Sequence, residues 1–123
     1  MSPHLSHLFV SVRDLHATHR FYVEQLGLEV LVGGPDRTYM RLGGGSGFHI
    51  GFEAIPAAAN PTDGIEIVVR VEDVDALYER LTAAGVAFDA PPADQVWGAR
   101  HVWLRDPTGY RVSVYSTEGP GTP

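Results

Sequence analysis

The sequence predicts an α+β fold of two βαβββ modules that enclose a cleft. Residues 6–17 laid over residues 65–76, a shift of 59, match Val10 with Val69, Val12 with Val71, Asp14 with Asp73 and Ala17 with Ala76. In both stretches a two-residue apolar alternation gives way to helical periodicity at the aspartate. After each helix three further strand candidates follow, so both halves read strand, helix, strand, strand, strand.

In the first strand Leu8, Val10 and Val12 alternate with His7, Phe9 and Ser11, and in its counterpart Ile65, Ile67, Val69 and Val71 alternate with Glu66, Val68 and Arg70. This is the pattern of a half-buried strand. Asp14 and Asp73 stand where an N-cap side chain can accept from the first free helix amides. The helices are expected to run to Leu26 and Ala84, each followed by a glycine, Gly27 and Gly85, suited to the left-handed cap conformation. Val74, Leu77, Tyr78 and Leu81 form an apolar stripe on the second helix, as a helix covering a sheet requires. The remaining strands are expected at 29–31, 38–42 and 48–52, separated by Gly33-Gly34-Pro35-Asp36 and the glycine-rich run 43–47. In the second half they are expected at 87–89, 100–105 and 111–115, separated by Pro91-Pro92 and the turn Asp106-Pro107-Thr108-Gly109. A second overlay, with a shift of 64, sets Arg41 on Arg105, Gly45 on Gly109 and His49 on Ser113. These elements define modules 4–53 and 64–115 within one domain, 1–115, with residues 53–64 as connector and 116–123 as a flexible tail.

Composition removes several function classes. Fifteen acidic against nine basic residues give a net charge of -6, which argues against a nucleic-acid partner. All basic residues are Arg; with no Lys there is no Schiff-base lysine, no phosphate-loop lysine and no polybasic membrane attachment. Run 43–47 is therefore a strand connection and not a phosphate loop. The absence of Cys removes disulfides, thiolate metal sites and a cysteine nucleophile, leaving the six His as the titratable groups of interest. Residues 1–8 lack a basic stretch followed by an apolar run, and nowhere do eighteen apolar residues follow one another, so a soluble, cytoplasmic protein is expected.

Strand alternation sorts the side chains. If Val10, Val12, Ile67, Val69, Ile50, Phe52, Val112 and Val114 pack under the helices, the opposite face carries Phe9, Glu66, His49, Ser113 and Tyr115. His7, His49, Glu66 and Ser113 then surround the floor of the cleft, and Tyr39, Arg41, His101 and Trp103 line its walls. Two imidazoles and one carboxylate suit Fe(II), and Zn, Mn or Ni acceptably. The same residues have plainer readings: His7 as a strand histidine bonded to a carbonyl, Glu66 as half of an ion pair with Arg70 or Arg41, and Trp97 and Trp103 as core. Glycines around His49 permit a one-residue slip that would reverse its face. His4, His16 and His19 read as surface residues.

The run from His7 through Asp14 to Phe21-Tyr22 and Leu26-Gly27, continued by Asp73, Gly85, Trp97-Gly98 and Asp106-Pro107-Thr108-Gly109-Tyr110, resembles the vicinal oxygen chelate superfamily. That group includes glyoxalase I, bleomycin-resistance proteins, fosfomycin-resistance transferases and extradiol dioxygenases. The resemblance covers residues 4–115 and implies paired βαβββ modules, usually in a homodimer whose modules build the clefts, with metal ligands on the first and fourth strands. His7 matches the first-strand histidine, Glu66 the position where many members carry a second histidine, His49 a fourth-strand position often held by Glu, and Ser113 the final position where metal enzymes carry Glu.

Two function classes follow. In one, a divalent ion on His7, His49 and Glu66, with Ser113 or water completing its shell, chelates a small substrate with adjacent oxygens for lyase, isomerase or dioxygenase chemistry. In the other, a metal-free protein sequesters a small molecule or antibiotic between Phe9, Tyr39, Trp103 and Tyr115, the acidic charge favouring cationic ligands. No residue is assigned to a catalytic step.

Overall fold

The computed structural model describes residues 6–45, 47–55 and 65–117. His4, most of the expected connector and the tail from residue 118 onward lie outside the described residues. The chain divides into two units, Met1–Pro61 and Thr62–Pro123.

The first unit contains β1 (Leu8–Val12), α1 (Leu15–His19), a π-helical segment (Arg20–Gln25), β2 (Glu29–Gly33), β3 (Tyr39–Gly43) and β4 (His49–Ala54). Its sheet has the order β1-β4-β3-β2, with β1 parallel to β4 and the other pairs antiparallel. The second unit contains β5 (Glu66–Arg70), α2 (Val74–Ala83), β6 (Ala93–Asp94), β7 (Arg100–Arg105) and β8 (Arg111–Ser116), in the order β5-β8-β7-β6 with the same pattern of directions. Each unit is thus a βαβββ module, as the repeat predicts.

The repeat extends to backbone angles. Asp14 lies at φ -142°, ψ 108° and accepts from the Ala17 amide; Asp73 lies at φ -143°, ψ 99° and accepts from the Ala76 amide, both bonds 3.1 Å long. The helices differ further on, because Gly27 follows Asp14 by thirteen residues whereas Gly85 follows Asp73 by twelve. The first module holds its extra residue by widening the helix: the Leu26 amide donates to the Phe21 carbonyl five residues back at 3.0 Å, so the expected single α-helix becomes α followed by π. Both helices end on a glycine at positive φ, 90° at Gly27 and 93° at Gly85.

The alternation assigns the cores correctly. Val10, Val12, Met40, Leu42, Ile50 and Phe52 are buried beneath the first helix with Phe21 and Tyr22, whose rings meet in edge contact at 4.9 Å while Tyr22 stacks on Phe52 at 5.0 Å. In the second unit Val74, Leu77 and Leu81 of the expected stripe are buried with Ile67, Val69, Val102, Leu104, Val112 and Val114.

Two expectations are corrected. Residues 87–89 form no strand; they make one ladder-like bond, Asp89 N–H to the Trp103 carbonyl at 2.9 Å, and regular pairing with β7 begins only at Ala93–Asp94. Pro91 and Pro92, which have no N–H, delay it. The overlay at a shift of 64 is also out of register. Phe9 pairs with Gly51 and its counterpart Val68 with Ser113, while Arg41 pairs with Gly51 and Trp103 with Ser113. The structural shift is therefore 62: Gly51 is the counterpart of Ser113, and His49 that of Arg111. An offset of two residues keeps every side chain on its expected face.

Asp106 closes the β7–β8 turn. Only 5% exposed, its Oδ1 accepts from the amides of Thr108, Gly109 and Tyr110 at 3.0, 2.9 and 2.9 Å. Asp106→Ala leaves two buried donors, the Thr108 and Tyr110 amides, without that acceptor and is expected to cost about 2–3 kcal/mol in urea unfolding. Asp14→Ala and Asp73→Ala, with matching cap geometry, should each cost about 1 kcal/mol; costs differing severalfold would break the equivalence of the two caps.

Candidate functional site

Each sheet carries chemistry on the face opposite its helix. In the second unit, pairing of β5 with β8 sets Glu66 level with Arg111, and pairing of β7 with β8 sets His101 level with Tyr115 and Trp103 level with Ser113. The Trp103 indole N–H donates to Glu66 Oε2 at 3.1 Å, and Arg111 Nε lies 3.5 Å from Glu66 Oε1. The Arg111 guanidinium also sits 5.5 Å from the Trp103 ring centroid.

His101 lies between two rings on this face. Its ring is stacked 5.1 Å from Trp103 at an interplanar angle of 19° and 5.1 Å from Tyr115 at 13°, while Trp97 meets its edge at 5.3 Å. The Trp97 indole nitrogen lies 3.0 Å from His101 Nε2, and Ser113 Oγ lies 2.8 Å from Nδ1. An indole N–H can only donate, so Nε2 is the bare nitrogen and the imidazole proton resides on Nδ1, donated to the Ser113 hydroxyl. This polarity is the reverse of a nucleophile and its base, where imidazole accepts the hydroxyl proton. Burial holds the His101 imidazolium below its ordinary pKa, with the Glu66 charge opposing the shift.

In the first unit Phe9 and Tyr39 stack with centroids 6.3 Å apart at 15°. Arg41 Nε–H donates to the Tyr39 hydroxyl at 3.1 Å, and the guanidinium carbon lies 5.9 Å from the Tyr39 ring centroid. Gly51 is buried beneath this ring; a Cβ there would run into the Tyr39 hydroxyl, with two ring carbons at 3.0 Å. His49 is half-buried against Gly43, where a Cβ would come 3.1 Å from the imidazole Cδ2. His7 is half-buried just before β1, its Nδ1 2.9 Å from Ser6 Oγ.

The structure therefore brings together Glu66, His101, Trp103, Ser113 and Tyr115 in one unit and Phe9, Tyr39 and Arg41 in the other. Of the expected metal ligands, His7 and His49 belong to the first unit and Glu66 to the second. Within either unit, among the described residues, no three His, Asp or Glu side chains form a group able to hold a metal ion. Arg111 is not among the candidates from sequence, and the core reading of Trp97 fails. Arg111 is the register partner of Glu66, and strand parity placed it on this face. Trp97 is 53% exposed and cannot be core; its motif with Gly98, at φ 95°, was the available signal.

Comparison with known proteins resolves the lineage. Residues 4–114 match the family model described as the Glyoxalase/Bleomycin resistance protein/Dioxygenase superfamily. The chain belongs to that superfamily. Among solved superfamily folds, it is 26% identical to a glyoxalase/bleomycin resistance protein/dioxygenase from Nocardioides, with 100% of this chain and 89% of that one covered and a TM-score of 0.70. It is 26% identical to TnmS3, an antibiotic binding protein from Streptomyces sp. CB03234, with 95% and 98% covered and a TM-score of 0.75. A lactoylglutathione lyase from Agrobacterium tumefaciens shares 19% identity over 94% of each chain, with a TM-score of 0.69, a likeness of fold.

The depressed His101 pKa has a measurable consequence. Below about pH 6.5, the ordinary imidazole value, the unfolded chain takes up a proton that folded His101 resists. Its stabilising contribution is therefore whole above that value and declines as pH falls towards the folded pKa. Between about pH 7 and about pH 5 the urea midpoint should drop further in the wild type than in His101→Gln. Equal drops would remove His101 as the source.

Proposed function

We propose that this protein binds a small planar aromatic molecule without a metal ion, in the manner of a sequestering or carrier protein. The observation that carries this reading is the row of near-parallel rings formed by Trp103, His101 and Tyr115, with Trp97 at its edge. Rings held parallel on a rigid sheet offer a planar ligand their edges and outer faces for dispersion and stacking, at little cost in conformational entropy. Both imidazole nitrogens are already bonded within the protein, so His101 acts here through its ring. The likeness to TnmS3 supports an antibiotic as the class of ligand.

The rival is a divalent ion on His7, His49 and Glu66, which would supply Lewis-acid chemistry. The donors present do not fit it. The Glu66 carboxylate is taken by the Trp103 N–H and approached by Arg111, a cation placed where an ion would repel it. Ser113 stands where the superfamily resemblance puts a carboxylate, and its hydroxyl is held by His101. Its structural counterpart, Gly51, has no donor and lies under the Tyr39 ring.

Titration with 9-anthracenemethanol, followed by tryptophan fluorescence in the presence of EDTA, tests the binding reading. Saturable binding is expected, weakened about tenfold by Trp103→Ala. No saturation, or binding that returns only when metal is restored, would overturn it. Zn, Mn, Ni or Fe(II) added to chelator-treated protein should leave Tm unchanged; a saturable rise abolished by Glu66→Ala would establish the metal site instead.

A further inference from the structure

The two sheet faces treat their arginines differently. Arg111 has the Glu66 carboxylate 3.5 Å away. Arg41 occupies a half-buried place on the first unit's face, and among the described residues its protein partner is a phenol, the Tyr39 hydroxyl 3.1 Å from Nε. Among the described residues no carboxylate pairs with it, in a chain of net charge -6. A guanidinium partly withdrawn from water without a counter-charge is costly, and the usual remedy is an anion from outside the chain.

We propose that this face is a subsite for an oxyanion, a carboxylate or phosphate borne on an aromatic molecule that rests on the Phe9 and Tyr39 rings of the same unit. The proposal rests on the ligand-binding reading above and names the ligand's chemistry. With Nε committed to Tyr39, the two Nη groups remain as a planar fork of donors, the arrangement that meets a carboxylate or phosphate edge with paired hydrogen bonds. The Tyr39 hydroxyl, having accepted from Arg41, still has its own proton to donate.

Arg41 is flanked by Val32 on β2 and by a glycine on β4. Gly51 is its pairing partner across β3 and β4, Gly43 is the next residue of β3 on the same face, and both are buried. The space over Gly51 is filled by the Tyr39 ring, and that over Gly43 by the Leu31 and His49 side chains. The stacked pair of Phe9 and Tyr39 supplies an aromatic surface alongside. His49, level with Gly43, adds an imidazole to the same face. Two acids share it by alternation, Glu53 level with Tyr39 and Glu29 level with Gly43, and neither pairs with Arg41. Recognition of the anion therefore depends on the short-range fork and not on the wider field. This reverses the preference for cationic ligands expected from net charge alone.

The test compares anthracene-9-carboxylate with the neutral 9-anthracenemethanol, each titrated into the full chain and read by energy transfer from tryptophan. At low salt the carboxylate should bind at least about tenfold tighter, and the ratio should shrink as salt is raised. Arg41→Gln should bring the ratio to about one, and Arg41→Lys, which keeps the charge and loses the fork, to an intermediate value. Arg20→Gln, which removes an equal charge from an exposed site on the first helix, should leave the ratio as in the wild type. Equal affinities for the two probes, or a ratio that survives Arg41→Gln in protein with a wild-type unfolding midpoint, would overturn the oxyanion subsite and leave the ligand-binding reading standing. If neither probe binds, both fall.

Discussion

Each four-stranded sheet has one helix to bury it, and one helix covers one face. Side chains alternate along a strand, so committing Val10 and Val12, or Val112 and Val114, to the core sends their neighbours to the opposite side. That constraint decides which residues can do chemistry. It gathers aromatic and charged groups from strands far apart in sequence onto one surface, because β1 and β5 each pair in parallel with the last strand of their own unit.

The two surfaces answer the same constraint with different chemistry at equivalent places. His101 and Tyr39 are register counterparts, as are Ser113 and Gly51. In both units a small residue on the last strand is engaged by a ring from the strand beside it, by a hydrogen bond in one case and by close approach in the other. The second unit is electrically settled, with Arg111 facing Glu66 and a neutral imidazole whose two nitrogens are both used. The first leaves a guanidinium whose partner, among the described residues, is a phenol. Like topology, filled with unlike side chains, gives one stacking surface of balanced charge and one whose cation meets a phenol.

Much of the fold was legible because its signals are local. A capping aspartate, a glycine after the helix and a change of period from two to 3.6 act within a few residues, and the caps at Asp14 and Asp73 agree in geometry to within ten degrees. Signals that depend on counting across a variable segment were less secure. The overlay of His49 on Ser113 rested on Arg and Gly coincidences and missed the true register by two residues, an error that preserved the face and exchanged the counterpart. The strand expected at 87–89 is absent because Pro91 and Pro92, expected only to separate it from the next strand, also lack the N–H groups that pairing with β7 needs, so regular pairing begins at Ala93. The extra residue in the first helix could be counted from sequence, but only the fold shows that a π-turn absorbs it.

The sequence by itself determined the module order, the helix caps, the membership of the cores and the face on which each candidate residue lies, since all of these follow from periodicity and short-range hydrogen bonding. Tertiary structure decided what the candidates do with one another. Pairing between strands brought Trp103 to Glu66, placed Trp97 so that its donor-only indole sets the His101 tautomer, turned that imidazole's proton toward Ser113, and set Arg41 against the Tyr39 hydroxyl. The first three outcomes depend on contacts of about 3 Å between residues on different strands or on a strand and its neighbouring loop, and such contacts are set by strand register, which no local pattern encodes.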